Sequence, residues 1–274
     1  MTVMLPIGKL KRLARQMLKG RYLLALAMVF ITVVISRAPL YVLSFLFDSP
    51  TLSYILNLYT IIITGPITLG LAYFFLELFR NSEELGVGSF TNGFSNIWNA
   101  MGLFCAVLLR AMLWSFLFVI PGIIAALRYS QAFYILAENP MMRPFECIAR
   151  STQMMVGNKG RFFLLELSYL PWYFILSIPA YVYLMETVDL SAVITTEQSI
   201  LVVEQAMGQP AFTLLSLLPM LIRPLVATSE ACFYDIASGS LQLQFDGQIP
   251  LDRDGSSHDV YEITGFESSE DRNE

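Results

Sequence analysis

The sequence predicts an all-α membrane protein: a polytopic bundle of six spans with amphipathic helices in the membrane plane and both termini cytoplasmic. Three observations predict it. Of the 274 residues, 55% are hydrophobic and 14% charged, whereas a soluble domain carries about 25% charged residues. The mean hydropathy is +0.59, more apolar surface than a soluble core uses but suited to a lipid-facing bundle. Basic residues also gather beside alternate ends of the apolar runs, as retained cytoplasmic loops do.

Three parts follow in order. Residues 1–20 form a basic amphipathic interfacial helix, 21–236 a six-span membrane domain, and 237–274 an acidic, disordered cytoplasmic tail. In the first part Leu10, Leu13, Ala14, Met17 and Leu18 recur at helical spacing. Lys9, Lys11, Arg12, Arg15 and Lys19 fill the other face, the pattern of a helix in the lipid headgroup plane. These five are the candidate headgroup-binding residues. The basic start and the apolar run after it resemble a secretory leader. No small-residue cleavage site follows, so the run is read as a retained first span over 22–46.

Span 2 covers 52–79. Thr64-Gly65-Pro66 interrupts it, and Pro66 cannot donate to Ile62, which predicts a kink or a short unwound turn. Phe90, Phe94, Ile97, Trp98 and Met101 then repeat at helical spacing and predict a surface helix over 88–100. Span 3 covers 102–120 and span 4 covers 123–137, breaking from each other at Pro121-Gly122. A basic amphipathic stretch over 141–157 leads into span 5, at 162–185, which contains Pro171 and Pro179. Span 6, at 212–234, contains Pro219 and Arg223-Pro224. A surface helix is also expected near 200–203.

The net charge of −5 hides two opposite parts. Residues 235–274 hold ten acidic groups against Arg253 and Arg272, so residues 1–234 are net basic. No soluble basic face exists for nucleic acid. Arg143, Arg150, Lys159 and Arg161 lie between spans 4 and 5, whereas the connections at 38–51 and 186–210 contain no Lys or Arg. Six spans with both ends inside satisfy these positions. Ile148-Ala149-Arg150 and Lys159-Gly160-Arg161 also echo Leu13-Ala14-Arg15 and Lys19-Gly20-Arg21, each ahead of a span. The echo fits a plan of three units, each a surface helix followed by a membrane hairpin.

Intramembrane charge marks the candidate site. A charge at the bilayer centre costs about 2.5–3.5 kcal/mol on insertion scales and faces the bundle interior or a cavity. Arg110, Arg128 and Arg223 lie within spans, whereas Arg37 is close enough to the interface to snorkel. Glu166 and Glu230 enter spans 5 and 6 as partners. These five form the candidate polar cluster, either as glue between helices or as the lining of a polar cavity.

No P-loop, HExxH or GxSxG motif is present, and the predicted spans contain neither His nor Asp. The only histidine, His258, lies in the tail, and Cys105, Cys147 and Cys232 are scattered in apolar sequence. No catalytic residue, metal site, disulfide framework or cofactor is expected.

The central stretch carries a resemblance. Ile120-Pro121-Gly122-Ile123-Ile124, Tyr129-Ser130, Tyr134-Ile135-Leu136-Ala137 and Asn139-Pro140 are followed by Glu146, Ile148, Ser151, Met154-Met155, Gly157, Lys159 and Phe162-Phe163. With Ala14-Arg15, Lys19-Gly20 and Cys232-Phe233-Tyr234, these residues resemble an uncharacterised bacterial membrane family, domain of unknown function 975, over residues 8–236. More distantly the chain is similar to the membrane anchor fused to some glycerophosphodiester phosphodiesterases. It has no phosphodiesterase domain, so that activity does not carry over. The resemblance implies a six-span plasma-membrane protein of Gram-positive-type bacteria and supplies no catalytic residue. The expected function is that of a scaffold or accessory subunit acting on membrane lipids and on another membrane protein or a second copy. The alternative is a small transporter or exporter component with a polar intramembrane cavity.

Overall fold

The computed structural model describes residues 6–46, 50–80, 86–188 and 209–239. Helices are the only regular structure among them. The acidic tail from 240 onward and the surface helix expected near 200–203 lie outside the described residues. Six helical stretches are long and apolar enough to cross a membrane: Tyr22–Pro39, Leu58–Phe79, Ile97–Phe116, Val119–Glu138, Lys159–Thr187 and Pro210–Ser238. The chain is a multi-pass membrane protein by this measure.

Helix α1 (Ile7–Leu18) ends at Lys19, and Gly20 takes a positive φ of 83° to turn the chain into α2 (Tyr22–Leu46). The amphipathic pattern of α1 has an unexpected use. Leu10, Leu13, Ala14 and Leu18 are buried against the protein, chiefly against the last helix, and not in lipid. The first and last helices therefore lie on the same side of the bundle.

Helix α3 (Pro50–Phe79) stays helical through Pro66. Of the kink or short unwound turn expected at Thr64-Gly65-Pro66, the unwound turn does not form. Each threonine hydroxyl bonds back one turn, Thr60 to the Leu56 carbonyl (3.0 Å), Thr64 to Thr60 (2.6 Å) and Thr68 to Thr64 (2.8 Å). The stripe thus satisfies itself within its own helix. Over half of this span is buried, against 11% of the Ile97–Phe116 window, so α3 is central and the third span peripheral.

The surface helix expected over 88–100 breaks at Asn96. Helix α4 covers Val87–Ser95 and α5 covers Ile97–Leu117. Ile97, Trp98 and Met101 therefore belong to the span, while Phe90 is buried against α3. Glycine explains the difference. A Cβ on Gly93 would meet Gly70 and come within 2.6 Å of the Pro66 carbonyl oxygen, and one on Gly65 would lie 2.7 Å from that of Ala100. Lipid tails are as apolar as leucine, so membrane helices associate through such close backbone packing.

Helix α6 (Val119–Tyr129) folds back on α5, with Gly122 against Ser115, and α7 (Ala132–Glu138) completes the fourth span after a break at Ser130-Gln131. Helix α8 (Pro144–Met154) starts with Pro144 at its first position and a capping bond from the Arg143 backbone N–H to Glu146 (3.4 Å). It stops ahead of Gly157, which has φ 79°. Cys147, Ile148, Ser151 and Met155 turn its apolar face into the bundle. The fifth span is α9 (Lys159–Leu167) plus α10 (Leu170–Thr187), parted at Ser168-Tyr169 ahead of Pro171. The sixth is α11 (Pro210–Leu215), a 3-10 turn (Leu218–Ile222) and α12 (Arg223–Ser238). Pro219 and Pro224 account for the division, since neither supplies the N–H a continuous helix needs.

Burial is uneven along the bundle. Phe74, Phe79, Ile135, Leu136, Phe233 and Tyr234 sit in one dense core with α1. Phe116, Ile120, Trp172, Phe174 and Ile178 are among the apolar side chains left exposed, the surface lipid would cover.

Candidate functional site

The spans bring part of the expected polar cluster together. Arg223 opens α12, and Glu230 lies two turns later on the same face. Arg223 Nη1 donates to Glu230 Oε1 at 3.1 Å. Tyr134 of α7 donates to the other oxygen of Glu230 at 3.2 Å. Tyr173 of α10 lies against Arg223, and the Glu166 carboxylate of α9 is within electrostatic reach of Arg223 and Glu230. Glu166 Oε1 is buried without a hydrogen-bond partner among the described residues. One turn on, Tyr169 and Ser229 share a hydrogen bond of 2.7 Å between buried hydroxyls.

Arg110 and Arg128 stand apart from this group. Arg110 lies over the Phe145 ring of α8, 5.1 Å from its centroid, a cation–π contact. Arg128 has a buried Nε without a partner among the described residues, while its carbonyl accepts from Ser151 at 2.8 Å. Helical spacing placed each arginine on an inward face but could not reveal which inward faces meet.

Lys11 joins the cluster from α1. Its ammonium donates to the Ser168 carbonyl at 3.3 Å and sits 4.1 Å over the Tyr169 ring. The break between α9 and α10 frees that carbonyl. Burial, then the charge of Arg15, lower the Lys11 pKa. The expected headgroup set is therefore divided: Lys11 faces inward, Lys9 is half-buried, and Arg12, Arg15 and Lys19 are exposed.

A second ionic cluster escaped the sequence reading. Arg80, just past α3, donates through Nε to both oxygens of Asp235 at 3.2 Å and through Nη2 to Asp235 Oδ1 at 2.6 Å and Glu138 Oε1 at 2.5 Å. Tyr234 donates to Glu138 Oε2 at 2.6 Å. Burial disfavours the guanidinium charge, but Asp235 and then Glu138 outweigh it and raise its pKa. Asp235, counted with the acidic groups of the C-terminal end, is fully buried in α12. Sequence distance hid this site, since Arg80 and Asp235 are 155 residues apart. The one available signal was Asp235 following Cys232-Phe233-Tyr234 without a break in helical pattern.

No group of three potential metal ligands occurs among the described residues. Burial pushes the Cys147 thiol up to about 11, which leaves it protonated and unreactive near neutrality. The arrangement can hold charge pairs and tie α1, α7, α9, α10 and α12 together. Removing the Tyr169 hydroxyl tests one tie. Tyr169→Phe leaves Ser229 with its bond to the Leu225 carbonyl (2.8 Å), so the expected loss is about 1 kcal/mol, read by unfolding in detergent.

No curated protein and no solved structure matches the chain. The likeness to phosphodiesterase anchors thus gains nothing from the comparisons, and residues 8–107 of the family resemblance lie outside the matched region. Residues 108–238, from the second half of α5 to the end of α12, match the family described as Protein of unknown function (DUF975).

Proposed function

We propose that the protein is a non-catalytic accessory or scaffold subunit of the bacterial plasma membrane. It works by contact with membrane lipids and with another membrane protein or a second copy of itself, and both chain ends are cytoplasmic. The observation that carries this reading is the seating of α1. Its apolar face is used up on α12, so Arg12, Arg15 and Lys19 stand outward on a fixed base. A helix floating among headgroups would present no fixed array. Each such charge near an anionic leaflet contributes about 1 kcal/mol, and basic residues flanking spans favour the cytoplasmic side.

The test puts a photo-crosslinking residue at position 12 or 15 of the full chain in native membranes. Discrete protein or lipid adducts are expected, and the change of the remaining basic residues among Arg12, Arg15 and Lys19 to Gln should weaken them severalfold. Diffuse labelling indifferent to charge would overturn the reading.

A transporter component is the second reading. Glu166, with its unpartnered oxygen beside the Arg223–Glu230 pair, favours it, as do the breaks in spans 4, 5 and 6. Transporters build sites from such discontinuous helices. Ion or proton flux in proteoliposomes, abolished by Glu166→Gln, would transfer the assignment to this reading.

A further inference from the structure

Helix α1 presents an outward face that is basic. Arg12 and Arg15 are exposed on it, and Lys19 is exposed just past its end. The three form one row, about 10 Å long at 1.5 Å per residue. Residues 1–21 contain no Asp or Glu. The ion pairs among the described residues belong to Arg80 and Arg223, so no described acid answers the row. Like charges three and four residues apart on a helix repel one another, and an acidic occupant would relieve that.

The opposite charge lies further along the same chain. Residues 240–274 carry nine acidic groups against Arg253 and Arg272, and eight of the nine fall in 252–274. Gly239, with φ 78°, ends α12 ahead of them. That helix is the one α1 rests on. Lys11 lies 4.1 Å over the Tyr169 ring and Tyr169 bonds Ser229 at 2.7 Å, which places the middle of α1 beside Ser229. From Ser229 to Gly239 is about 15 Å along α12, and a helix is about 10 Å across. The chain from Gly239 to Asp252 reaches about 43 Å when extended. The acidic segment therefore reaches the basic row with slack, and so short a tether gives an effective concentration on the order of millimolar.

We propose that the acidic segment 252–274 lies along Arg12, Arg15 and Lys19 of its own chain and covers them. Charge complementarity and tether length select this occupant over a second copy, which would supply the same segment at far lower concentration. The contact joins exposed charges, so salt weakens it. Covering would regulate the contact surface described above, and that consequence rests on the accessory-subunit reading; the docking itself does not.

The test uses the full chain in mild detergent, with unlabelled and nitrogen-15-labelled copies mixed equally. A zero-length carbodiimide joins lysine to carboxylate, and mass spectrometry reads the links. Links from Lys19 to 252–274 within one copy are expected. Arg12→Gln with Arg15→Gln, both at exposed positions, should lower them about fivefold while leaving Lys19 as the reporter, and about 0.5 M salt should do the same. No Lys19 links, links between labelled and unlabelled copies, or links indifferent to salt and to the Gln pair would overturn the proposal.

A second measurement reads the covering. Asp→Asn and Glu→Gln at the eight acidic positions of 252–274 should raise lipid or protein adducts at positions 12 and 15 about threefold. Adducts that are present but do not rise would overturn the covering. Lys19 links without any lipid or protein adduct, even in the neutralised chain, would keep the docking and remove the accessory-subunit reading. Discrete adducts without Lys19 links would do the opposite.

Discussion

Arg80→Ala is expected to destabilise the protein by about 3–5 kcal/mol, the cost of breaking a buried ion pair from one side. The guanidinium satisfies the fully buried Asp235 and the mostly buried Glu138. Its loss leaves two carboxylates facing each other with only Tyr234 donating to one of them. Arg80→Lys should recover only part of the loss, because an ammonium cannot reproduce the planar fork that reaches both acids. A third variant separates the worth of the pairing from the cost of unpaired charge. Arg80→Met with Asp235→Leu and Glu138→Gln removes every charge while keeping an acceptor for Tyr234. It should unfold in detergent near the wild type, since uncharged replacements of similar volume are often neutral. If the triple variant is as unstable as Arg80→Ala, the cluster stabilises by attraction and this account of it is wrong.

The second large effect is a pair of identical substitutions with opposite signs. Gly93→Ala should destabilise by about 1–3 kcal/mol, the usual range for overpacking. Its new methyl would press on the backbone of α3 at Pro66 and Gly70, and backbone cannot yield as a flexible side chain does. Gly88→Ala, on the same nine-residue helix, meets nothing within 4 Å. It should be neutral or stabilise by up to about 1 kcal/mol, the helix propensity of alanine over glycine. Denaturation in mixed micelles reads both. Equal effects from the two would show that α4 is not held by the glycine crossing.

Much of the architecture was legible without coordinates. The spans expected over 22–46 and 52–79 overlap α2 and α3 closely, because lipid demands an unbroken apolar run and a closed set of backbone hydrogen bonds. The helix around Ile148 was likewise legible, through its amphipathic spacing and Pro144. Two expectations needed correction because they depended on what stands opposite: the unwound alternative at Pro66 and the helix continuing past Asn96. Gly70 with Gly93 stands there, and a local pattern does not contain its neighbour. The surface of α12, which takes up most of the apolar face of α1, was out of view for the same reason.

The candidate site divides in the same way. Sequence alone determined that Arg223 and Glu230 share a face, since two helical turns separate them. It also determined the hydropathy of six spans and the amphipathic build of α1, all set by short-range geometry and by the solvent a side chain tolerates. Only the tertiary structure decided that Tyr134 and Glu166 join Arg223, that Arg110 turns to Phe145, and that Arg80 locks onto Asp235. Those meetings are between residues tens to more than a hundred positions apart. Helix periodicity fixes the direction of a side chain about its own axis and says nothing about which axis lies next to it.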